Sequence, residues 1–242
     1  MSAIINSAII NSIYDIKNIV YINLASRPDR KAHIEQQLNT IGFKNVNRFN
    51  AIKTANGAIG CSMSHLKCLE DARAKGLTHL LICEDDTLFL NPELFKQQLN
   101  AFLSRHKQQS WDVVLLAGNN VPPYQTIDDT CIRVSHCQTT TCYLVNSSYF
   151  ITLIENIKEG INNLMRDQKN EFLYAIDRYW LRLQKTGRWF LITPLTVIQK
   201  DGYSDIRKKP VTYSKLMTSL DKGFYAIDAG SKFNMKNILY KE

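Results

Sequence analysis

Apolar positions along the chain switch repeatedly between a strand-like and a helix-like period. Ile19-Val20-Tyr21-Ile22 is a β-branched and aromatic run, which predicts a strand. Asn23 to Ser26 then make a turn, and Ile34, Leu38 and Ile41 recur at helical spacing until Gly42. Ser26 stands where it can cap that helix, with Pro28 in the first turn and Asp29 three residues on. Val46 to Ala51 predicts a second strand, and Ile52 to Ala58 a polar loop. Ile59 to Ala74 predicts a helix with Met63, Leu66 and Leu69 on one face, stopped by Gly76. Leu80 to Cys83 is a continuous apolar run, the pattern of a strand buried on both faces. Asn91 and Pro92 cap a helix to about His106, with Leu94, Leu99, Phe102 and Leu103 inward. Further strands are predicted at Trp111 to Ala117, Cys142 to Val145, Trp189 to Ile192 and Thr196 to Ile198. Helices are predicted from Ser147 to about Ile157 and from Glu171 to Lys185. Such alternation predicts an α/β domain with a mostly parallel sheet and helices on both faces. Tyr124 to Thr141 shows no period and reads as irregular, a flap over a site or a packed surface loop.

The periodic part spans residues 18–210 and reads as a single domain. Residues 1–17 read as an N-terminal extension; within them Ser-Ala-Ile-Ile-Asn occurs twice in tandem, too short a unit for a domain repeat. Residues 211–242 are polar and less periodic and read as a C-terminal extension.

Chemistry concentrates where the apolar run Leu80 to Cys83 meets Glu84, Asp85 and Asp86. Three adjacent carboxylates repel one another, so a cation is expected there, a metal ion or basic side chains. Alternation along an extended segment would aim Glu84 and Asp86 one way and Asp85 the other. Arg27 and Arg30 flank the start of the first helix. Cations there oppose the helix dipole, so either they are simply solvated or an anion sits between them and the dipole. Asp177 lies beside aromatic residues, where a carboxylate can act as a base or pair with Arg178 or Arg182.

Charge and cysteine usage narrow the class. The 242 residues carry a net charge of +8 and 45% hydrophobic residues, enough for one large core and favouring anionic partners. The basic residues form no long block, which weakens a nucleic-acid reading. None of the six cysteines forms a CxxC pair, which argues against a zinc ribbon, although a disulfide within Cys131, Cys137 and Cys142 is open in an oxidising compartment. There is no apolar run of about 18 residues and no basic leader, so a soluble, cytoplasmic protein without signal peptide or transmembrane segment is expected.

Several fragments fall in a specific order. Tyr21-Ile22-Asn23-Leu24 and Arg27-Pro28-Asp29-Arg30 come first, then Gly57 to His65 (Gly-Ala-Ile-Gly-Cys-Ser-Met-Ser-His). Leu81 to Asp86, Tyr174-Ala175-Ile176-Asp177, and Gln199 through Ser204-Asp205-Ile206 follow. In this order they resemble glycosyltransferase family 25, which includes lipopolysaccharide-sugar and procollagen galactosyltransferases, over about Asn18 to Ile206. The resemblance implies a GT-A-type, Rossmann-like fold and a metal-dependent inverting transfer of a hexose. The donor would be a nucleotide-sugar, a UDP-sugar first, and the acceptor a glycan or protein hydroxyl. It implies that Glu84-Asp85-Asp86 is the D-x-D-type motif, with Glu84 in place of the first aspartate. Glu84, Asp86 and Gln199 would serve Mn²⁺ or Mg²⁺. Asn23, Leu24, Arg27, Arg30, Ser64, His65 and Asp85 would meet the donor, and Asp177 would be the catalytic base. Two other classes compete: a basic nucleic-acid-binding protein, against which the acidic strand end speaks, and a sugar-nucleotide-binding protein that has lost turnover.

Overall fold

The structure, a computed structural model, describes residues 10–222. In chain order its elements are β1 (Ile19–Asn23), α1 (Pro28–Ile41), β2 (Val46–Asn50), α2 (Gly57–Ala74), β3 (His79–Glu84), β4 (Thr87–Phe89) and α3 (Pro92–Arg105). Then come β5 (Val113–Leu115), β6 (Asn119–Asn120), β7 (Tyr124–Thr126), β8 (Cys131–Val134), β9 (Cys137–Gln138) and β10 (Cys142–Asn146). The remainder holds α4 (Phe150–Arg166), α5 (Glu171–Tyr174), α6 (Ile176–Tyr179), α7 (Leu181–Gln184), β11 (Trp189–Ile192), β12 (Val197–Gln199), β13 (Gly202–Ser204), β14 (Lys209–Val211) and α8 (Ser214–Met217).

Eight strands form one sheet in the order β2-β1-β3-β10-β5-β11-β8-β7. β1 runs parallel to β2 and β3, and β11 to β5, whereas β10 opposes β3 and β5, and β8 opposes β11 and β7. Six of the eight strands therefore share one direction. The α/β architecture expected from the alternating pattern, a mostly parallel sheet flanked by helices, is the one the chain adopts. β3 is buried on both faces, as its unbroken apolar run implies. Leu81 and Cys83 join α1 and α3 side chains such as Leu38 and Phe102 in one cluster. Leu80 and Ile82 join Leu69 of α2 and Leu153 of α4 in the other.

Local departures from the expected elements have local causes. Ser26 makes no cap; Arg27 holds that position, and Pro28 starts α1. Phe95 rather than Leu94 is fully buried in α3. The apolar stripe of α4 continues through Ile161 and Leu164, so that helix runs past Ile157 to Arg166. The segment read as one helix from Glu171 to Lys185 is broken into α5, α6 and α7, because Ala175 is extended at ψ 148°. The stretch read as irregular from Tyr124 to Thr141 supplies three strands, two of which, β8 and β7, form a sheet edge. All six cysteines are free thiols. Ile10, Ile13 and Ile16 are buried in the core. The rest of the tandem pentapeptide and residues 223–242 of the C-terminal extension lie outside the described residues.

His79 ties the chain entering β1 to the start of β3. Its Nε2 accepts from the backbone N–H of Lys17 at 3.1 Å and of Asn18 at 3.4 Å, and Nδ1 faces the Thr78 hydroxyl at 3.0 Å. A proton on Nε2 would confront two donors in a buried site, and burial pulls the imidazole down to about 4. The unfolded chain binds this proton near pH 6.5, so stability is complete above that and falls as pH drops towards about 4. The loss should be on the order of 2–3 kcal/mol. In urea titrations, a His79→Gln variant should lack this part of the acid destabilisation; identical pH slopes in parent and variant would count against it.

Candidate active site

β3 stops at Glu84, and the chain turns at Asp85 and Asp86 before β4. Strand alternation therefore does not extend over the three acids, and the expected opposition of Asp85 to Asp86 is not found. Instead both carboxylates converge on Arg30 of α1, whose Nη1 donates to Asp85 Oδ1 at 2.9 Å and to Asp86 Oδ2 at 3.0 Å. Arg30 Nη2 donates to the Tyr203 carbonyl at 2.7 Å, which joins α1 to the β13–β14 hairpin. Asn23, buried at the end of β1, donates to Asp85 Oδ2 at 2.8 Å. Glu84 turns towards α2. Its Oε1 lies 3.1 Å from His65 Nε2, and accepts from the Thr140 hydroxyl at 2.5 Å. His65 Nδ1 is held by Tyr143 Oη at 2.8 Å.

The turn is fixed from both sides. The Glu84 N–H donates to the Thr141 carbonyl at 2.8 Å, and the Lys200 N–H to the Asp86 carbonyl at 2.7 Å. Because β12 pairs with β4, Gln199 lies opposite Thr87, and its Nε2 donates to Asp86 Oδ2 at 3.2 Å. Asp86 Oδ1 is buried and has no partner. Burial first, then the neighbouring Glu84 charge, pushes the Asp86 carboxyl up to about 7 against the pull of Arg30. Burial also raises Asp85, opposed by Asn23 and Arg30. Burial works the same way on Glu84, but the His65 and Thr140 hydrogen bonds and the His65 charge outweigh it and leave that carboxyl below its ordinary value.

Two cavities meet at this strand end. One of about 430 Å³ is bordered by Leu24, Arg30, Ser64, His65, Asp85 and Asp86 among others. Ile52 and Thr54 form part of its wall because α2 packs tightly on their loop. A side chain at Gly60 would meet the Ile52 carbonyl at 2.4 Å, so only glycine permits this approach. The other cavity, of about 690 Å³, contains Asp177, Thr139 and Thr140 in its wall. Cys61, Glu84, Gln199, Ser204 and Ile206 line both. Asp177 accepts from the Thr139 N–H at 3.2 Å, and burial raises its carboxyl against the charge of Arg178. Thr139 holds φ at 77°, a left-handed conformation that a β-branched residue rarely adopts, and its Oγ1 is buried without a partner.

The strand end thus gathers Asn23, Arg30, Asp85, Asp86 and Gln199 around one turn, with Leu24, Ser64 and His65 on the smaller cavity. Two expected partners stand apart from the turn. Arg27 is occupied by Asp29 at 2.8 Å and by Asp205 at 2.5 Å and lines neither cavity. Glu84 groups with Cys61 and His65 rather than with Asp86 and Gln199. Thr139 and Thr140, which hold Asp177 and Glu84, did not emerge from sequence reasoning. Their only trace there is the hydroxyl triplet preceding β10.

The matched family bears on this same stretch. Residues 53–168 match the model of glycosyltransferase family 25 (LPS biosynthesis protein), a span from the loop before α2 to the end of α4 that includes His65 and all three acids. The chain is a glycosyltransferase by this match. The family expected from the ordered motifs is borne out over that span. No curated protein matches the chain in sequence. Similar solved structures include a glycosyltransferase involved in the glycosylation of the major capsid of PBCV-1, at 10% identity and TM-score 0.46, covering 79% of this chain and 95% of that one. A197 from STIV is similar at 13% identity and TM-score 0.44, covering 81% and 93%. Mannose-1-phosphate geranyltransferase from Thermus thermophilus follows at 10% identity and TM-score 0.38, covering 76% and 73%. Among the described residues no helix is long and apolar enough to cross a membrane.

Proposed function

We propose that the chain transfers a hexose from a UDP-sugar to a hydroxyl of a glycan or protein, with inversion, on a GT-A-type scaffold. The observation that carries this reading is the junction of the two cavities at Glu84 and Gln199, beside a buried carboxylate oxygen without a partner. The smaller cavity suits the nucleoside diphosphate and the larger the acceptor. The orphaned Asp86 Oδ1 fits a divalent cation, Mn²⁺ or Mg²⁺, which Asp86 would hold with Gln199 beside it. Bound there, the cation would supply positive charge to the departing diphosphate. Glu84, held by His65 and Thr140, borders both cavities. Asp177 would accept the proton of the attacking hydroxyl as its oxygen bonds to the anomeric carbon and the bond to the diphosphate oxygen breaks.

A panel of nucleotide-sugars incubated with the full chain and Mn²⁺ tests the donor. UDP-hexose should be hydrolysed fastest, and this dependence should disappear with chelator. Equal or faster loss of a non-uridine donor would overturn the donor assignment, and no turnover of any donor would favour a binding protein without catalysis. A second expectation concerns Thr139. Thr139→Gly keeps the N–H that holds Asp177 and accepts the left-handed backbone, but removes a buried hydroxyl from the acceptor cavity. Acceptor KM should rise about 3- to 10-fold, as for one lost hydrogen bond, with kcat nearly unchanged. A fall in kcat at constant KM would show instead that the threonine side chain matters for placing Asp177.

A further inference from the structure

We infer that the acceptor bound in the larger cavity carries an anionic group, a phosphate or a carboxylate, beside the hydroxyl that is glycosylated. This rests on that cavity being the acceptor site and adds its substrate class. Lys169, Arg178, Arg207 and Lys209 line the cavity. They come from two separate walls. Lys169 and Arg178 belong to the α4–α6 side, and Arg207 and Lys209 to the β13–β14 hairpin. Arg207 reaches across to Glu171 at 3.5 Å, so the hairpin is tied to the helical wall at a place where both walls present positive charge. Lys169 and Lys209 are exposed and have no ion-pair partner among the described residues.

Part of this charge is already met inside the cavity. Glu171 pairs with Arg207, the Asp177 carboxylate faces the charges of Arg178 and Arg207, and Glu84 faces His65 and Arg30. Lys169 and Lys209 are left to face whatever enters. The inner wall offers different chemistry. Asn119 and Thr139 belong to it, and Asn119 Oδ1 and Thr139 Oγ1 are both buried and without a partner. Buried oxygens of this kind are satisfied by hydroxyl donors. Hydroxyls inside and charge outside describe an acidic glycan better than a neutral one. Lysines at a cavity mouth bind phosphate or carboxylate as point charges and raise the local concentration of anionic ligands.

Binding of the full chain to immobilised oligosaccharides of matched length, one set neutral, one phosphorylated and one bearing uronic acid, tests this without any nucleotide. Acidic glycans should bind at least about tenfold more tightly than neutral ones at low salt, and the preference should vanish near about 0.5 M salt. The Lys169→Ala/Lys209→Ala double variant should lose about tenfold on acidic glycans while its UDP affinity stays at the parent value, since neither lysine borders the smaller cavity. Comparison of the two acidic sets tells phosphate from carboxylate. Equal binding of neutral and acidic glycans, or an unchanged double variant, overturns the inference. Failure of UDP to bind would instead strike the donor assignment and leave this glycan preference to stand or fall alone.

Discussion

An Asp86→Asn variant is expected to lose metal-dependent UDP binding and about a hundredfold to a thousandfold of transfer rate. Free of nucleotide and metal, it should melt at a higher temperature than the parent. The exchange keeps the shape of the side chain and, above about pH 7, where the carboxyl is ionised, removes one charge. That charge is poorly compensated, because a single guanidinium, Arg30, serves both Asp85 and Asp86, and Oδ1 of Asp86 faces no donor. Burial of an incompletely paired charge is unfavourable, so its loss should stabilise the bare protein. Ligands reverse the order. UDP with Mn²⁺ at a hundred times its Kd should add about 2.7 kcal/mol to the parent and nothing to the variant. Calorimetric titration and thermal melts read both effects. UDP and Mn²⁺ binding equal to the parent's would remove Asp86 from the metal site. A lower melting temperature without ligand would make the carboxylate a structural anchor for Arg30 and Gln199.

The opposing changes expected at Asp86 bear on what the sequence could disclose. A residue kept at a cost to stability sits where local rules fail, and the three acids were visible as such a place because they interrupt an apolar run. The sheet was equally legible. Its inner strands are short apolar runs whose burial on both faces leaves a compositional mark, as in Leu80 to Cys83. Short edge strands leave no such mark. β8 and β7 lie in a stretch with Asp128, Asp129 and Thr130 between them, and pairing of β8 with β11 and of β7 with β8, rather than any period, makes them strands.

The side-chain directions at the site were less accessible. Alternation holds only while the backbone is extended, and the turn at Asp85 ends it, which brings two carboxylates to one arginine. The contact of Arg27 with Asp205, 178 residues away, holds it apart from the acidic turn, and no local pattern encodes that contact. Thr139 and Thr140 were hidden for a similar reason. Threonine before a strand is unremarkable in sequence, and only the fold puts one N–H on Asp177 and one hydroxyl on Glu84. His65 shows the converse. Its place on a helix said little, but Glu84 and Tyr143 close around it.

The second large effect is expected at Asp177. Asp177→Asn should lower kcat by about a hundredfold to ten-thousandfold while leaving UDP affinity within about twofold of the parent, because a base acts on the acceptor proton and lies in the other cavity. Asparagine can still accept the Thr139 N–H through its side-chain oxygen, so the loop should stay in place and the loss should reflect chemistry. The pH profile supplies a check that a structural role would not move. Burial raises the Asp177 carboxyl above the ordinary carboxylate range, so a base that must be ionised loses rate as pH falls through that raised value. The parent's kcat should therefore show an acid limb starting above about pH 4, the ordinary aspartate value, and the asparagine variant's residual rate should lack it. Persistence of the limb would assign it to another group, with Asp86 the first candidate, since burial and the Glu84 charge push its carboxyl up to about 7. Retention of the parent's kcat would remove Asp177 from the reaction. A variant that lost UDP binding as well would show that the Asp177–Thr139 contact organises both cavities, not the acceptor side alone.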